Sequence, residues 1–177
     1  MNDITLRVLE AFPEPAISAL QREVFADFEP STLLAEVLTS ESAARAEELL
    51  VPSLSAFRVA AFRGDIIVGW TYGYREGKRQ FHMLNSGVAS AERRKGVYTQ
   101  LVETVVAHAQ AKGYVSVTSR HVAANAAVII AKLRLGFQVS GFEYSEVYGP
   151  LVRLTYLVGE ARRNLYRVRA GPLRTAE

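Results

Sequence analysis

The chain has 177 residues, 49% of them hydrophobic, 22% charged and 10% aromatic, enough apolar surface for one buried core and too little net charge for a disordered chain. It has no cysteine, which excludes a disulfide framework, a thiolate nucleophile, Cys-ligated zinc and an iron–sulfur cluster. No run approaches the ~18 to 20 apolar residues of a membrane helix, and the opening MNDITLRVLEAF lacks a basic then apolar leader, so the expected location is the cytoplasm, with no membrane partner. Net charge is +3 but unevenly spread: residues 1–50 hold ten acids against three arginines, and the remainder carries 18 bases and 8 acids. That asymmetry suits an anionic ligand in the second part of the chain, and it is equally what ordinary solvated faces would give.

Ile4, Leu6 and Val8 alternate with polar neighbours and predict a short strand that ends by Phe12-Pro13. Ile17, Leu20, Val24, Phe25 and Phe28 recur at helical spacing up to Pro30. Leu33, Leu34, Val37, Leu38, Ala46, Leu49 and Leu50 predict a second helical region with a break near Thr39-Ser40. From Ala56 the period drops to two, giving strands through Phe57–Ala61, Ile66–Tyr74 and Gln80–Val88, joined by turns at Arg63-Gly64-Asp65 and Glu76-Gly77-Lys78. A helix over 94–112 stops at Gly113, and a strand follows from Tyr114. Asn125 caps a helix running to Leu135-Gly136, and Phe137–Tyr144 and Leu151–Val158 form the last two strands.

The order βααβββαβαββ gives an α/β (α+β) class: a mixed, mostly antiparallel sheet of about seven strands flanked by four helices. The expected organisation is one domain over 1–158 and a basic extension over 159–177. The sequence leaves that extension open among a packed element, a homodimer contact and a loose arm. Its five arginines come without a groove-reading motif, so nucleic acid is not the expected partner.

Arg93-Arg94-Lys95-Gly96-Val97-Tyr98-Thr99 places three bases and a glycine at the start of a helix. The positive end of a helix dipole disfavours such bases unless an anion joins them, and free backbone N–H groups at that turn can hold phosphate oxygens. Three scattered histidines with no ligand spacing predict no metal site.

The run resembles motif A of the GNAT superfamily of N-acetyltransferases: Arg or Gln, two residues, Gly, one residue, then Gly or Ala. Arg93 and Gly96 match the first two fixed positions, Val88 stands where the family has a strand-ending aliphatic residue, and Tyr98 departs from the small third position. Asn125 to Gly136-Phe137 is similar to motif B, an Asn-capped helix ending in Gly-Phe. The family often has a tyrosine seven residues after the Asn as general acid; here that position is Lys132.

The resemblance implies an enzyme moving an acetyl group from the cosubstrate acetyl-CoA to a primary amine, on a small molecule or a peptide, by direct attack in a ternary complex. It implies that the strand ending at Val88 and the strand from Tyr114 splay apart around pantetheine. Ser86, Gly87 and Val88 would then bond its amides, the turn and helix start from Arg93 to Thr99 would meet the pyrophosphate, and Asn125 would contact the pantetheine arm. His82 stands eleven residues before the signature arginine and is the candidate base, with a purely structural histidine as the alternative; an imidazole of ordinary pKa ~6.5 suits that task. For the leaving thiolate the candidates are Lys132, Tyr98, Tyr144 and Tyr148, and Lys132 reads equally as a phosphate contact or an exposed helix lysine. His108 is expected at the surface and His121 in a loop bordering the splay. Residues 28–55, the strand Gln80–Asn85 and the final hairpin, with Glu143 and Glu146, are expected to build the acceptor pocket. The rival reading is a catalytically silent acyl-CoA sensor, motivated by Lys132 and Tyr98 at departing positions.

Overall fold

The computed structural model describes residues 4–26, 56–145 and 148–170. Seven strands form one sheet: β1 (Ile4–Leu9), β2 (Phe57–Arg63), β3 (Ile66–Glu76), β4 (Gln80–Val88), β5 (Ser116–Val122), β6 (Gln138–Ser145) and β7 (Gly149–Leu157), in the order β1-β2-β3-β4-β5-β7-β6. All neighbours are antiparallel except β4 and β5, which run parallel. The helices are α1 (Ala16–Phe25), α2 (Val97–Ala111), α3 (Ala126–Arg134) and α4 (Glu160–Ala170). None of them is long and apolar enough to cross a membrane.

The fold class agrees with the pattern in the sequence. Three helices stand at expected places, the fourth lies in the extension, and the expected second helical region falls within residues 27–55, outside the described residues. The helix expected from residue 94 begins at Val97, because Arg94 (φ 62°) and Gly96 (φ 84°) are left-handed and end any helical run. β5 likewise starts at Ser116 rather than Tyr114.

Alternation along the strands makes two cores. Ala60, Phe62 and Trp70 pack with Ile17 and Leu20 of α1 on one face. Val59, Ala61 and Val68 pack with Val97 and Leu101 of α2 on the other, a core that Phe81, Met83, Val102, Val105 and Val117 continue. At roughly 1.5 to 3 kcal/mol per buried aliphatic or aromatic side chain, these two layers hold the sheet between the helices. In the extension, Arg163 ties α4 to β7, donating to the Leu157 carbonyl at 3.1 Å and to the Tyr156 hydroxyl at 3.2 Å.

Candidate active site

β4 and β5 pair through Gln80–Met83 and Ser116–Ser119 and no further. The cause lies in β4. Tyr72 faces Asn85 while Gly73 faces Met83, so Leu84 is an extra residue that bulges the strand where the pairing stops. Beyond it Ser86, Gly87 and Val88 pair only with Thr71, Trp70 and Gly69 of β3, leaving an unpaired edge that faces a fork. A side chain on Gly87 would collide with the Trp70 ring, so only glycine allows that close packing.

At the mouth of the fork, the chain from Ser90 to Gly96 makes a short 3-10 turn and a bend before α2. Two buttresses fix it. Glu23 of α1 accepts from the Ser90 amide at 2.9 Å and its hydroxyl at 2.7 Å, which holds its carboxyl below the usual range. Glu92 takes a two-pronged bond from Arg63, at 2.9 and 2.6 Å, and an ion pair from Lys95 at 3.5 Å. Arg93 folds back to donate to the Val88 carbonyl at 3.2 Å, and Arg94 is exposed. Gly96, with nothing within 4 Å of the place a Cβ would take, precedes the opening amides of α2, which no side chain caps. Helix-start amides with no side-chain cap, beside exposed cations, are groups whose electrostatics favour an anion. Val97 is buried, Thr99 half-buried, and the Tyr98 hydroxyl lies buried near Ser86, its pKa pushed up to about 12 by burial. Asn125 caps α3, its Oδ1 accepting from the Val128 amide at 3.3 Å.

Two polar groups flank the apex of the fork on opposite faces of the sheet. On α2's face the fully buried Lys132 donates to Ser119 Oγ at 2.8 Å and Met83 Sδ at 3.3 Å, and its ammonium position is 4.5 Å from the centre of the Phe137 ring. Burial pulls its pKa down to about 7. His121 Nε2 lies 3.0 Å from the same Ser119 Oγ, and burial, then Lys132 and His82, bring its pKa to about 3.

On α1's face, His82 lies 3.0 Å from Thr118 Oγ1 through Nδ1 and 3.3 Å from Arg120 Nη1 through Nε2. Burial brings its pKa to about 4, with Glu76 opposing and Arg120, Lys132 and Arg153 adding to the fall. Around it Arg120 pairs with Glu76 at 3.3 Å and Glu143 at 2.7 Å, while Arg153 meets the same two carboxylates at 3.4 and 3.6 Å. Burial works to raise the Glu76 carboxyl, but its neighbours His82 and Arg120 and a bond from Thr118 outweigh that and hold it low.

The fork thus brings together Ser86, Gly87, Val88 and the turn before α2 at its edge and mouth, with His82 and Lys132 at its apex. Lys132 is neither an exposed helix lysine nor part of the turn before α2: it is fully buried within α3. Tyr144 and Tyr148 are exposed on the final hairpin, and Glu146 lies outside the described residues. His108 is not simply at the surface: its ring stacks on Phe57 at 3.7 Å because α2 lies over the start of β2. Glu76, Thr118, Ser119, Arg120 and Arg153 escaped the sequence reading. The signal was the run Thr118-Ser119-Arg120-His121, four polar residues in a row within a central strand. Among the described residues no group of three or more His, Asp or Glu converges as a metal site.

The fold is shared with solved acetyltransferases. The ribosomal-protein-S18-alanine N-acetyltransferase of Escherichia coli superposes with a TM-score of 0.67 at 14% identity, covering 89% of this chain and 95% of its own. A Bacillus subtilis acetyltransferase in complex with CoA gives 0.64 at 15%, covering 89% and 100%. An aminoglycoside 6'-N-acetyltransferase complexed with coenzyme A gives 0.60 at 14%, covering 88% and 98%. No curated protein matches the chain by sequence. The profile of the acetyltransferase (GNAT) family matches residues 16–137, a span holding the fork, the turn before α2 and all of α3. The chain belongs to the GNAT acetyltransferase family.

Proposed function

We propose that the protein transfers an acetyl group from acetyl-CoA to a primary amine by direct attack within a ternary complex. The observation that carries this reading is the fork itself: an unpaired strand edge with a proton-accepting group on one face of its apex and a proton-donating group on the other. Ser86, Gly87 and Val88 offer backbone groups to the pantetheine amides, with Asn125 at the start of α3 beside that arm. Gly96, Val97, Tyr98 and Thr99 offer amides to the pyrophosphate, and Arg93, Arg94 and Lys95 supply charge.

The amine approaches from the His82 face. Arg120 has only hydrogens to give, so Nε2 of His82 carries the lone pair and Nδ1 the hydrogen, which goes to Thr118, whose own hydroxyl donates to Glu76 at 3.1 Å. The incoming amine takes the place of Arg120 at Nε2. An imidazole held near 4 is a weak base, but the nitrogen turns acidic as it attacks, and a weak base suffices at that moment. Lys132 faces the departing sulfur from the opposite side and gives it a proton in its ammonium form.

Titration calorimetry with acetyl-CoA and a thiol-release screen across small amines and peptides test the reading. Binding together with acceptor-dependent thiol release is the expected result. Binding without release from any amine would leave an acyl-CoA sensor instead.

A further inference from the structure

We propose that Lys132 is itself an acyl acceptor: with acyl-CoA in the fork and no amine on the opposite face, its Nζ takes the acyl group and becomes an amide. The inference rests on the reading above, which places the thioester at the apex of the fork.

Position is the first argument. Lys132 Nζ touches Met83 and Ser119, the last residue pair that β4 and β5 share, so a thioester entering the fork ends beside it.

Hydrogen-bond accounting is the second. Lys132 Nζ donates to Ser119 Oγ, so Ser119 turns a lone pair toward the lysine, and the same hydroxyl lies 3.0 Å from His121 Nε2. Ser119 Oγ and Met83 Sδ together engage two N–H bonds, all that a neutral amine has, and the nitrogen lone pair stays free. Among the described residues no carboxylate pairs with Lys132. The titratable groups facing it are His121 from β5 and His82 across β4, both uncharged near neutrality.

The chemistry balances with amine and thioester alone. The Nζ lone pair attacks the carbonyl carbon, the C–N bond forms, the C–S bond breaks with its electron pair on sulfur, and the proton shed by nitrogen passes to that sulfur. The product amide keeps one N–H but is far too weak an acid to protonate a thiolate, so an acylated chain turns over more slowly: self-acylation limits the enzyme when acceptor is scarce.

The test is incubation of the full chain with acetyl-CoA alone, followed by intact-mass and peptide-mass analysis. One added acetyl group at Lys132 is expected, at a rate that rises about tenfold per pH unit up to 7 and levels above it, since the neutral amine reacts. An amine acceptor suppresses it, and Lys132→Met and Lys132→Arg abolish it. Ser119→Ala, which keeps the lysine, slows it severalfold. If calorimetry shows acetyl-CoA binding and amines are acetylated while Lys132 stays unmodified, or if Lys132→Met is labelled as fast as the parent, the proposal is wrong and the transferase reading stands. If acetyl-CoA does not bind, both fall together.

Discussion

Nε2 of His82 and Nη1 of Arg120 lie 3.3 Å apart, and because a guanidinium cannot accept a hydrogen bond, that contact fixes the tautomer of the imidazole. The hydrogen on Nδ1 then points to Thr118, and through its hydroxyl to Glu76. A carboxylate reaching a histidine through a hydroxyl is an orienting device of the kind general bases need.

Cutting that chain should cost rate and spare affinity. Thr118→Val removes the hydroxyl at constant shape, so kcat falls by about 10- to 100-fold while acetyl-CoA affinity is unchanged. Thr118→Ser restores most of the rate. Steady-state kinetics with calorimetry on the three proteins check this, and an undiminished kcat in Thr118→Val would make His82 a structural residue.

Lys132 should impose an alkaline limb on the reaction. With its ammonium as the proposed donor and its pKa drawn down to about 7, kcat falls as pH rises through that value. Lys132→Met loses the limb together with about 100-fold or more of the rate. Self-acylation runs the other way with pH, so the two measurements on one protein separate the roles of the ammonium and the free amine.

The same lysine should weigh on stability. Unfolded, it titrates near 10.4; folded, near 7. Between those values the unfolded chain binds a proton that the folded chain does not, so stability rises with pH across the window. Lys132→Met is therefore more stable than the parent at pH 7, and its advantage shrinks by up to about 1.4 kcal/mol per pH unit on the way to 10. Urea unfolding at a series of pH values reads this directly.

The positions of these groups were unevenly legible in the sequence. The Arg93–Gly96 turn and the Asn125 cap are local: spacing along the chain sets them. The fork itself depends on register. One extra residue, Leu84, decides where β4 stops pairing, and nothing in the run Met83-Leu84-Asn85 marks it as a bulge. Arg120 and Arg153 were invisible for a related reason, since their shared carboxylates come from β3 and β6, distant in sequence. Lys132 looked like any helix lysine, because burial of a single charged side chain is decided by tertiary packing rather than by periodicity.

His82 and His121 predict acid sensitivity. Burial keeps both neutral in the folded chain, to about 4 and about 3, against an unfolded value near 6.5. The contribution of these two rings to stability is therefore complete above pH 6.5 and is lost as pH falls from there toward 4, where the unfolded state binds the extra protons. His121→Asn, at the end of β5, removes one of the two and flattens the slope. A midpoint in urea that is the same at pH 5 and pH 7 for parent and variant alike would contradict the burial of both rings.

The turn before α2 carries the last prediction. Glu92 holds it by accepting from Arg63 and pairing with Lys95, and neither partner binds a ligand through that contact. Glu92→Gln keeps the shape and removes the charge, so the turn loosens while its three bases face less competition from a carboxylate. The first effect disorders the α2 amides and the second favours an anion, which gives opposite expectations at different salt. At low ionic strength the variant binds CoA within a few-fold of the parent. At high ionic strength, where charge attraction is screened and only the geometry of the amides remains, its affinity drops about tenfold further than the parent's. Calorimetric titration at the two salt concentrations separates these contributions, and equal losses in both proteins would mean that Arg63 and Glu92 hold the sheet edge rather than the binding turn.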